Sequence, residues 1–377
     1  MSLERESRRI AIFASFSGQG GVERQLVNLC CGLVELGQPL DLVLVKDRSP
    51  ALADLPEAVR IVRLGTRHTL TSVLALARYL RREKPRVLLA AKDRAARTAV
   101  LSRRLSGHNI PLVVRLGTTL SAALSGKPAW RRRLWYFLMR RFYPHMDAIV
   151  GVSKGVAEDV RQITNLPSER FHVIPNPVIT RTVLEKAEQP ITHRWMRQDV
   201  PLVLGIGRLT RQKDFPTLLR AFAEVRKRRE LRLVILGEGG DRASLIGLAR
   251  ELGIEEDLDL PGFSSNPYAW LRKVRLFVLS SAWEGSPNAL TEALAMGTQV
   301  VATDCPSGPR EILDGGRIAP LVPVGDAAAL AAAMEQVLAA PVDPETLRAA
   351  AKAYTVENSS RRYLALLEEK IQQRKSR

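Results

Sequence analysis

Glu284 and Glu292, eight positions apart, and Arg208 and Lys213, five apart, are the residues whose types and spacing could do chemistry in this 377-residue chain. The two carboxylates lie in the stretch Ser280–Leu313, SSAWEGSPNALTEALAMGTQVVATDCPSGPREIL. Before it, the apolar run Leu276–Leu279 predicts a buried strand, and Ser286-Pro287 offers an N-cap followed by proline at the first helical position. A helix is therefore expected from about Asn288 to Met296, closed by Gly297. Glu284 then falls in the loop before the helix and Glu292 on it, so both can face a ligand held at the helix N-terminus. Free backbone N–H groups and the helix dipole make that N-terminus favourable for an anion, the backbone being that of Gly285, Ser286, Pro287, Asn288, Ala289 and Leu290. Arg208 and Lys213 sit in GRLTRQKD, where the apolar run Pro201–Leu209 ends. Spacing alone is a weak signal: a chain this long contains roughly one such glutamate pair by chance, and solvated surface charges are the plain alternative at all four positions.

Elements able to position these groups recur along the chain. In the first half, strands are expected at Arg9–Phe16, Asp41–Val45, Arg60–Leu64, Val87–Ala90, Pro111–Arg115, Ala148–Val152 and Phe171–Ile174, with helical patterns between most of them. In the second half they are expected at Pro201–Leu209, Leu231–Leu236, Leu258–Leu260, Leu276–Leu279, Gln299–Thr303 and Pro320–Val324. Strands alternating with helices predict parallel sheets covered by helices. The turn Ser17-Gly18-Gln19-Gly20-Gly21 follows the first strand, and its glycines would let backbone approach a ligand closely. Pro175-Asn176-Pro177 stops regular structure and divides the chain into residues 1–178 and 179–355, with a last helical segment at 356–377.

Composition is that of an ordinary soluble chain, 46% hydrophobic and 25% charged. No run is apolar and long enough to cross a bilayer, and the N-terminal segment does not read as a secretory signal. Cys30, Cys31 and Cys305 have neither disulfide arithmetic nor zinc-ligand spacing, which fits a reducing cytoplasm. The net charge of +18 is uneven: residues 1–180 hold 29 Lys and Arg against 14 Asp and Glu, and the rest hold 28 against 25. A strongly basic first half points to an anionic partner, nucleic acid or an anionic membrane. Lys127–His145 holds six Lys and Arg, no acid, and six of the chain's twenty aromatics. At helical spacing Arg132, Arg133, Tyr136 and Arg140 share one face, while Trp130, Leu134, Trp135, Leu138, Met139 and Phe142 spread over the other. A basic, aromatic amphipathic helix suits a membrane interface, and Trp130, Arg131, Arg132, Arg133, Trp135, Arg140 and Arg141 are its candidate contacts. A core helix with a solvated arginine face is the alternative.

The segment E-G-S-P-N-A-L-T-E-A-L-A-M-G, between two apolar strands, resembles the E-x7-E motif of the retaining GT-B-fold glycosyltransferases of family 4, the glycosyl transferases group 1. The resemblance extends along nearly the whole chain, with V-I-P-N-P-V similar to the hinge between the family's halves. It implies two doubly wound Rossmann-like domains facing across a cleft: an acceptor-binding, membrane-facing domain at 1–178, a sugar-nucleotide domain at 179–355, and a C-terminal helix returning to the first domain. It also implies a nucleotide diphosphate sugar as donor and no obligatory cofactor or metal. Arg208 and Lys213 match the family's diphosphate-binding cations. Glu284 would bond donor-sugar hydroxyls, and Glu292 the ribose. Gly20 and Gly21 would meet the diphosphate, Gly262 and Phe263 would lie beside the base, and Glu238 at the nucleotide edge. Retention is explained in this family without an enzyme nucleophile, the leaving phosphate accepting the acceptor's proton on the same face. One departure stands out: where many members place a histidine after a first-domain strand, Val114–Thr119 has none, leaving Arg115 or Thr118.

The stretch Cys305–Glu311 is similar to members that use UDP-activated hexoses or N-acetylhexosamines, with GDP-mannose as the other donor in view. A lipid-linked or polysaccharide glycan as acceptor, and a peripheral place on the cytoplasmic face of the cell membrane, would account for the basic first half. Two other classes compete. A non-hydrolysing sugar-nucleotide epimerase shares the architecture but not the E-x7-E context. A basic nucleic-acid-binding protein should show a recognisable module, and none is present. Asp257-Leu258-Asp259 spells a D-x-D within an acidic run and reads as surface charge, and the five histidines lack metal-ligand spacing.

Overall fold

The computed structural model describes residues 9–16, 18, 21–197 and 200–376. They form two compact units: the residues up to Pro177 together with the segment from Val356, and Val178–Thr355.

Unit 1 is built on seven strands: β1 (Ile10–Phe16), β2 (Leu40–Asp47), β3 (Val59–Arg63), β4 (Val87–Ala91), β5 (Leu112–Leu116), β6 (Ala148–Gly151) and β7 (Phe171–Val173). Their order is β3-β2-β1-β4-β5-β6-β7, all parallel. Strands buried on both faces read as unbroken apolar runs rather than alternating ones, which is why β1, IAIFASF, and β4, VLLAA, stand out in the sequence. The helices Val73–Glu83, Asp93–Ser106, Ala129–Phe142 and Lys154–Thr164 cover one face. Gly21–Glu35 and the last helix, Val356–Lys375, cover the other. These two pack so closely that a Cβ on Gly32 would lie 2.2 Å from the Ser360 Oγ, so the contact requires glycine there. Arg86 pairs with Glu368 at 2.7 Å, and Asp147 takes both Arg103 (2.8 Å) and Arg374 (2.7 Å), which ties the last helix to the strands beneath it.

Unit 2 has six strands: β8 (Leu202–Ile206), β9 (Arg232–Leu236), β10 (Leu258–Gly262), β11 (Leu276–Leu279), β12 (Val300–Thr303) and β13 (Leu321–Val322). They are parallel, in the order β10-β9-β8-β11-β12-β13. In both sheets the strand order reverses direction beside the first strand, between β1 and β4 and between β8 and β11. Open parallel sheets bind ligands in the crevice at the carboxyl ends of such strands. The helix Asn288–Met296 has the expected bounds and ends at Gly297, whose φ of 75° is the left-handed closure that glycine provides. Its cap differs by one residue: Pro287 occupies the N-cap position, with no side-chain cap bond, and Ser286 lies outside the helix.

Asp257 and Asp259 are both engaged by other side chains. Asp257 pairs with Arg226 and Arg232, and Asp259 lies 2.8 Å from the His193 Nε2. Among the described residues no group of three or more His, Cys, Asp or Glu could hold a metal ion, and no helix is long and apolar enough to cross a membrane.

Candidate active site

Two loops flank the strand reversal of unit 2. The one after β8 carries Arg208 and Lys213, and the one after β11 carries Glu284. They are laced together by hydrogen bonds to backbone carbonyls: the Ala282 amide donates to the Gln212 carbonyl (2.8 Å), the Gln212 Nε2 to the Trp283 carbonyl (3.1 Å), and the Ser280 hydroxyl to the Lys213 carbonyl (2.8 Å). This lacing brings the Lys213 Nζ to 2.6 Å from the Glu284 Oε1, across 71 positions of sequence. The same oxygen accepts from the fully buried Ser281 hydroxyl at 2.7 Å. Glu284 is itself buried, and Lys213 half-buried. A charge-assisted pair of this kind fixes both heads in place. Arg208 is exposed and only reaches the Gln212 Oε1 at 3.5 Å, so its guanidinium keeps donors for an incoming anion.

A third loop, after β12, closes against the second. The Glu284 amide donates to the Pro306 carbonyl (3.3 Å) and the Ser307 hydroxyl to the Gly285 carbonyl (2.9 Å). Gly308 has φ +97°, and a Cβ there would lie 2.5 Å from the Pro287 Cδ, so only glycine allows this approach. Burial, and after it the Glu284 carboxylate, pushes the neighbouring Cys305 thiol up to about 12, which keeps it protonated at neutral pH.

Gly285–Leu290 lead into the helix N-terminus, and Glu292 lies about one turn in and buried. Gly262 ends β10 with φ 89°, a Cβ there would meet the Glu238 Oε1 at 2.7 Å, and Phe263 after it is 53% exposed. Glu238 is exposed and pairs with Arg242 at 3.2 Å. In unit 1, Gly21 opens the helix after β1, while Gly20 lies outside the described residues. The sequence gives no sign that Lys213 and Glu284 meet, and it hides Ser281 and Gln212, although a serine three residues before Glu284 is the kind of near neighbour that could be weighed.

Unit 1 holds the two residues considered in place of the family's histidine, and one of its helices corrects an expectation. Arg115 points no guanidinium at solvent: it is 1% exposed and donates through Nη2 to the Asn176 Oδ1 at 2.5 Å, while Thr118 is half-buried just beyond β5. The helix Ala129–Phe142 also divides differently. Met139 is buried, and Trp135, Tyr136 and Phe142 pack inward, with Trp135 beneath the guanidinium groups of Arg94 and Arg97. Arg132 is half-buried and Arg140 donates to the Ile163 carbonyl at 2.7 Å. The outward face carries Trp130 (62% exposed), Leu134 (50%) and Phe137 (63%) among exposed Arg131, Arg133 and Arg141. The solvent side is thus itself apolar and basic, since aromatics occur all round this helix and the core takes only one set of them.

Residues 194–354 match the family described as glycosyl transferases group 1, and residues 19–182 match glycosyltransferase family 4. A similar curated protein is the Campylobacter jejuni N-acetylgalactosamine-N,N'-diacetylbacillosaminyl-diphospho-undecaprenol 4-alpha-N-acetylgalactosaminyltransferase, 34% identical over 59% of either chain. The match therefore spans well under two thirds of that relative's length. The Rhizobium meliloti lipopolysaccharide core biosynthesis glycosyltransferase LpsE is 29% identical over 86% of this chain and 87% of its own. Among solved structures, the lipopolysaccharide outer core galactosyltransferase WaaB superposes with TM-score 0.74 at 20% identity, covering 96% of this chain and 99% of its own. Anabaena HepE in complex with UDP superposes with TM-score 0.76 at 17% identity, covering 96% and 100%.

Proposed function

This chain belongs to the group 1, family 4 glycosyltransferases and has their two-domain GT-B fold, and we propose that it transfers a hexose or N-acetylhexosamine from a UDP-sugar to a lipid-linked or polysaccharide glycan with retention of configuration. The observation that carries this is the Lys213–Glu284 pair beside a helix N-terminus that has no side-chain cap, at the strand reversal of unit 2. Lys213 and Arg208 neutralise the diphosphate as it leaves, and Glu284 accepts from hydroxyls of the sugar. The bond from the anomeric carbon to the diphosphate oxygen breaks as the acceptor oxygen bonds that carbon on the same face. The acceptor's proton passes to the departing phosphate. Support for UDP comes from the nucleotide bound by HepE, and support for a lipid-linked acceptor from the diphospho-undecaprenol substrate in the Campylobacter relative's name.

The test is incubation with a panel of UDP- and GDP-sugars and a short glycan acceptor, with the product anomer read by NMR. An α-linked product from an α-configured UDP-sugar is expected. Inverted product would remove retention, turnover with GDP-sugars alone would remove UDP, and sugar epimerisation without acceptor would move the chain to the epimerase class.

The same reading places the enzyme on the cytoplasmic face of an anionic membrane through the outward face of the helix Ala129–Phe142. Each cation near an anionic surface contributes about 1 kcal/mol, screened by salt, and Trp130, Leu134 and Phe137 add an apolar part that salt does not screen. Sedimentation with anionic vesicles, but little with zwitterionic ones, is expected. The combined variant Trp130→Ser, Arg133→Glu, Phe137→Ser should lower that partition by at least about tenfold while keeping turnover on a water-soluble acceptor. Wild-type sedimentation of this variant would show that another surface does the binding.

A further inference from the structure

Lys92 directly follows β4, beside β1, at the carboxyl edge where the strand order of unit 1 reverses. Its φ of 77° and ψ of 155° fall in a region that is essentially reserved for glycine. The surroundings enforce this conformation: its amide donates to the Arg115 carbonyl at 2.9 Å, and its carbonyl accepts from the Ala96 amide at 3.0 Å. Glycine would satisfy both bonds without strain, yet the position holds a lysine whose side chain is exposed. Outliers of this kind cluster where the side chain has work to do.

A second observation lies beneath it. The Arg115 guanidinium is buried beside the Tyr363 hydroxyl, and its Nη1 meets no acceptor at hydrogen-bonding geometry among the described residues. That nitrogen would be 3.3 Å from a Cβ on Gly117, so it lies under the open end of β5. The buried Glu23 carboxylate and the Arg115 guanidinium both lie within electrostatic reach of the Lys92 ammonium. Two cations and one carboxylate thus gather at this end of the sheet, next to a crevice where parallel sheets take ligands.

We propose that Lys92 is the acceptor-anchoring cation of unit 1: its ammonium binds an oxyanion borne by the acceptor, a phosphate or a carboxylate, with Arg115 as a second positive charge behind it. The assignment rests on the proposed transfer reaction for the word acceptor, but the subsite itself is testable without turnover. The probe is inorganic pyrophosphate, titrated calorimetrically into the full-length Lys213→Met variant, which lacks one of the two donor-side cations. Residual binding is expected, and adding Lys92→Met should weaken it by about tenfold or more, as loss of a charge-assisted bond does. Lys92→Gly should weaken it equally and raise Tm by about 2–4 °C, because it releases the strained backbone.

Competition by phenyl phosphate assigns a phosphate-bearing acceptor, and competition by glucuronate a carboxylate-bearing one. No residual binding in Lys213→Met, no effect of the Lys92 changes, competition by neither compound, or a lower Tm in Lys92→Gly would each overturn the proposal. An enzyme that fails to transfer any sugar yet shows Lys92-dependent pyrophosphate binding would retain the subsite and lose only the transfer reading.

Discussion

Glu284→Gln lowers transfer by about 10²–10³-fold while UDP still binds nearly as in the wild type. Glutamine keeps the shape of the side chain but presents an uncharged oxygen to the Lys213 ammonium and the Ser281 hydroxyl, both of which now bond one carboxylate oxygen. The loss belongs to the transition state, because positive charge grows on the sugar as its bond to the diphosphate lengthens and a carboxylate beside it gains most at that moment. In kinetic terms kcat should fall with little change in donor KM. Single-turnover rates and UDP calorimetry on the same preparation would separate the two quantities. Wild-type turnover would remove Glu284 from the mechanism.

Lys213→Met has the second large effect, and it moves binding and rate together. A hydrogen bond to a charged group contributes about 1.5–3 kcal/mol, so UDP affinity should fall by about tenfold to a hundredfold. Affinity for uridine, which has no phosphate, should not change. Turnover falls further than affinity, since the leaving diphosphate carries more charge in the transition state than in the bound donor. The pair also predicts non-additivity. Because Lys213 and Glu284 touch at 2.6 Å, combining Lys213→Met with Glu284→Gln should cost less than the sum of the single losses, by about 0.5–3 kcal/mol. Unchanged UDP affinity and rate in Lys213→Met, or full additivity in the double variant, would mean that the two loops act independently.

The strands and the helix Asn288–Met296 were readable from residue order because their signals are local. A strand buried in a parallel sheet reads as a near-continuous apolar run, and β4 and β11 are apolar along their whole length. A proline at the start of a helix and a glycine at its end act on their own backbone angles, although that local signal placed the cap at Ser286 and the packed loops placed it at Pro287. Candidate chemistry was readable in the same way, as carboxylates and cations at strand ends.

What the sequence could not hold was the consequence of bringing distant segments together. Lys213 meets Glu284 because β8 and β11 are neighbours in the sheet, and sheet order is a property of the whole unit. The helix Ala129–Phe142 has aromatics all round, so periodicity could not choose its inner face. Packing chose it, by fitting Met139 and Trp135 against their neighbours and leaving Trp130, Leu134 and Phe137 outside. Arg115 is of a residue type that normally reaches water, but it is held in β5 by the Asn176 side chain from beyond β7. Lys92 gives no sign in its residue type of a glycine-like backbone, because the angles are imposed by bonds to Arg115 and Ala96. The sequence alone determined which segments become strands and helices and which polar groups stand at their ends. Only the tertiary structure decided which of those groups touch, since a contact between residues far apart in the chain depends on every element packed between them.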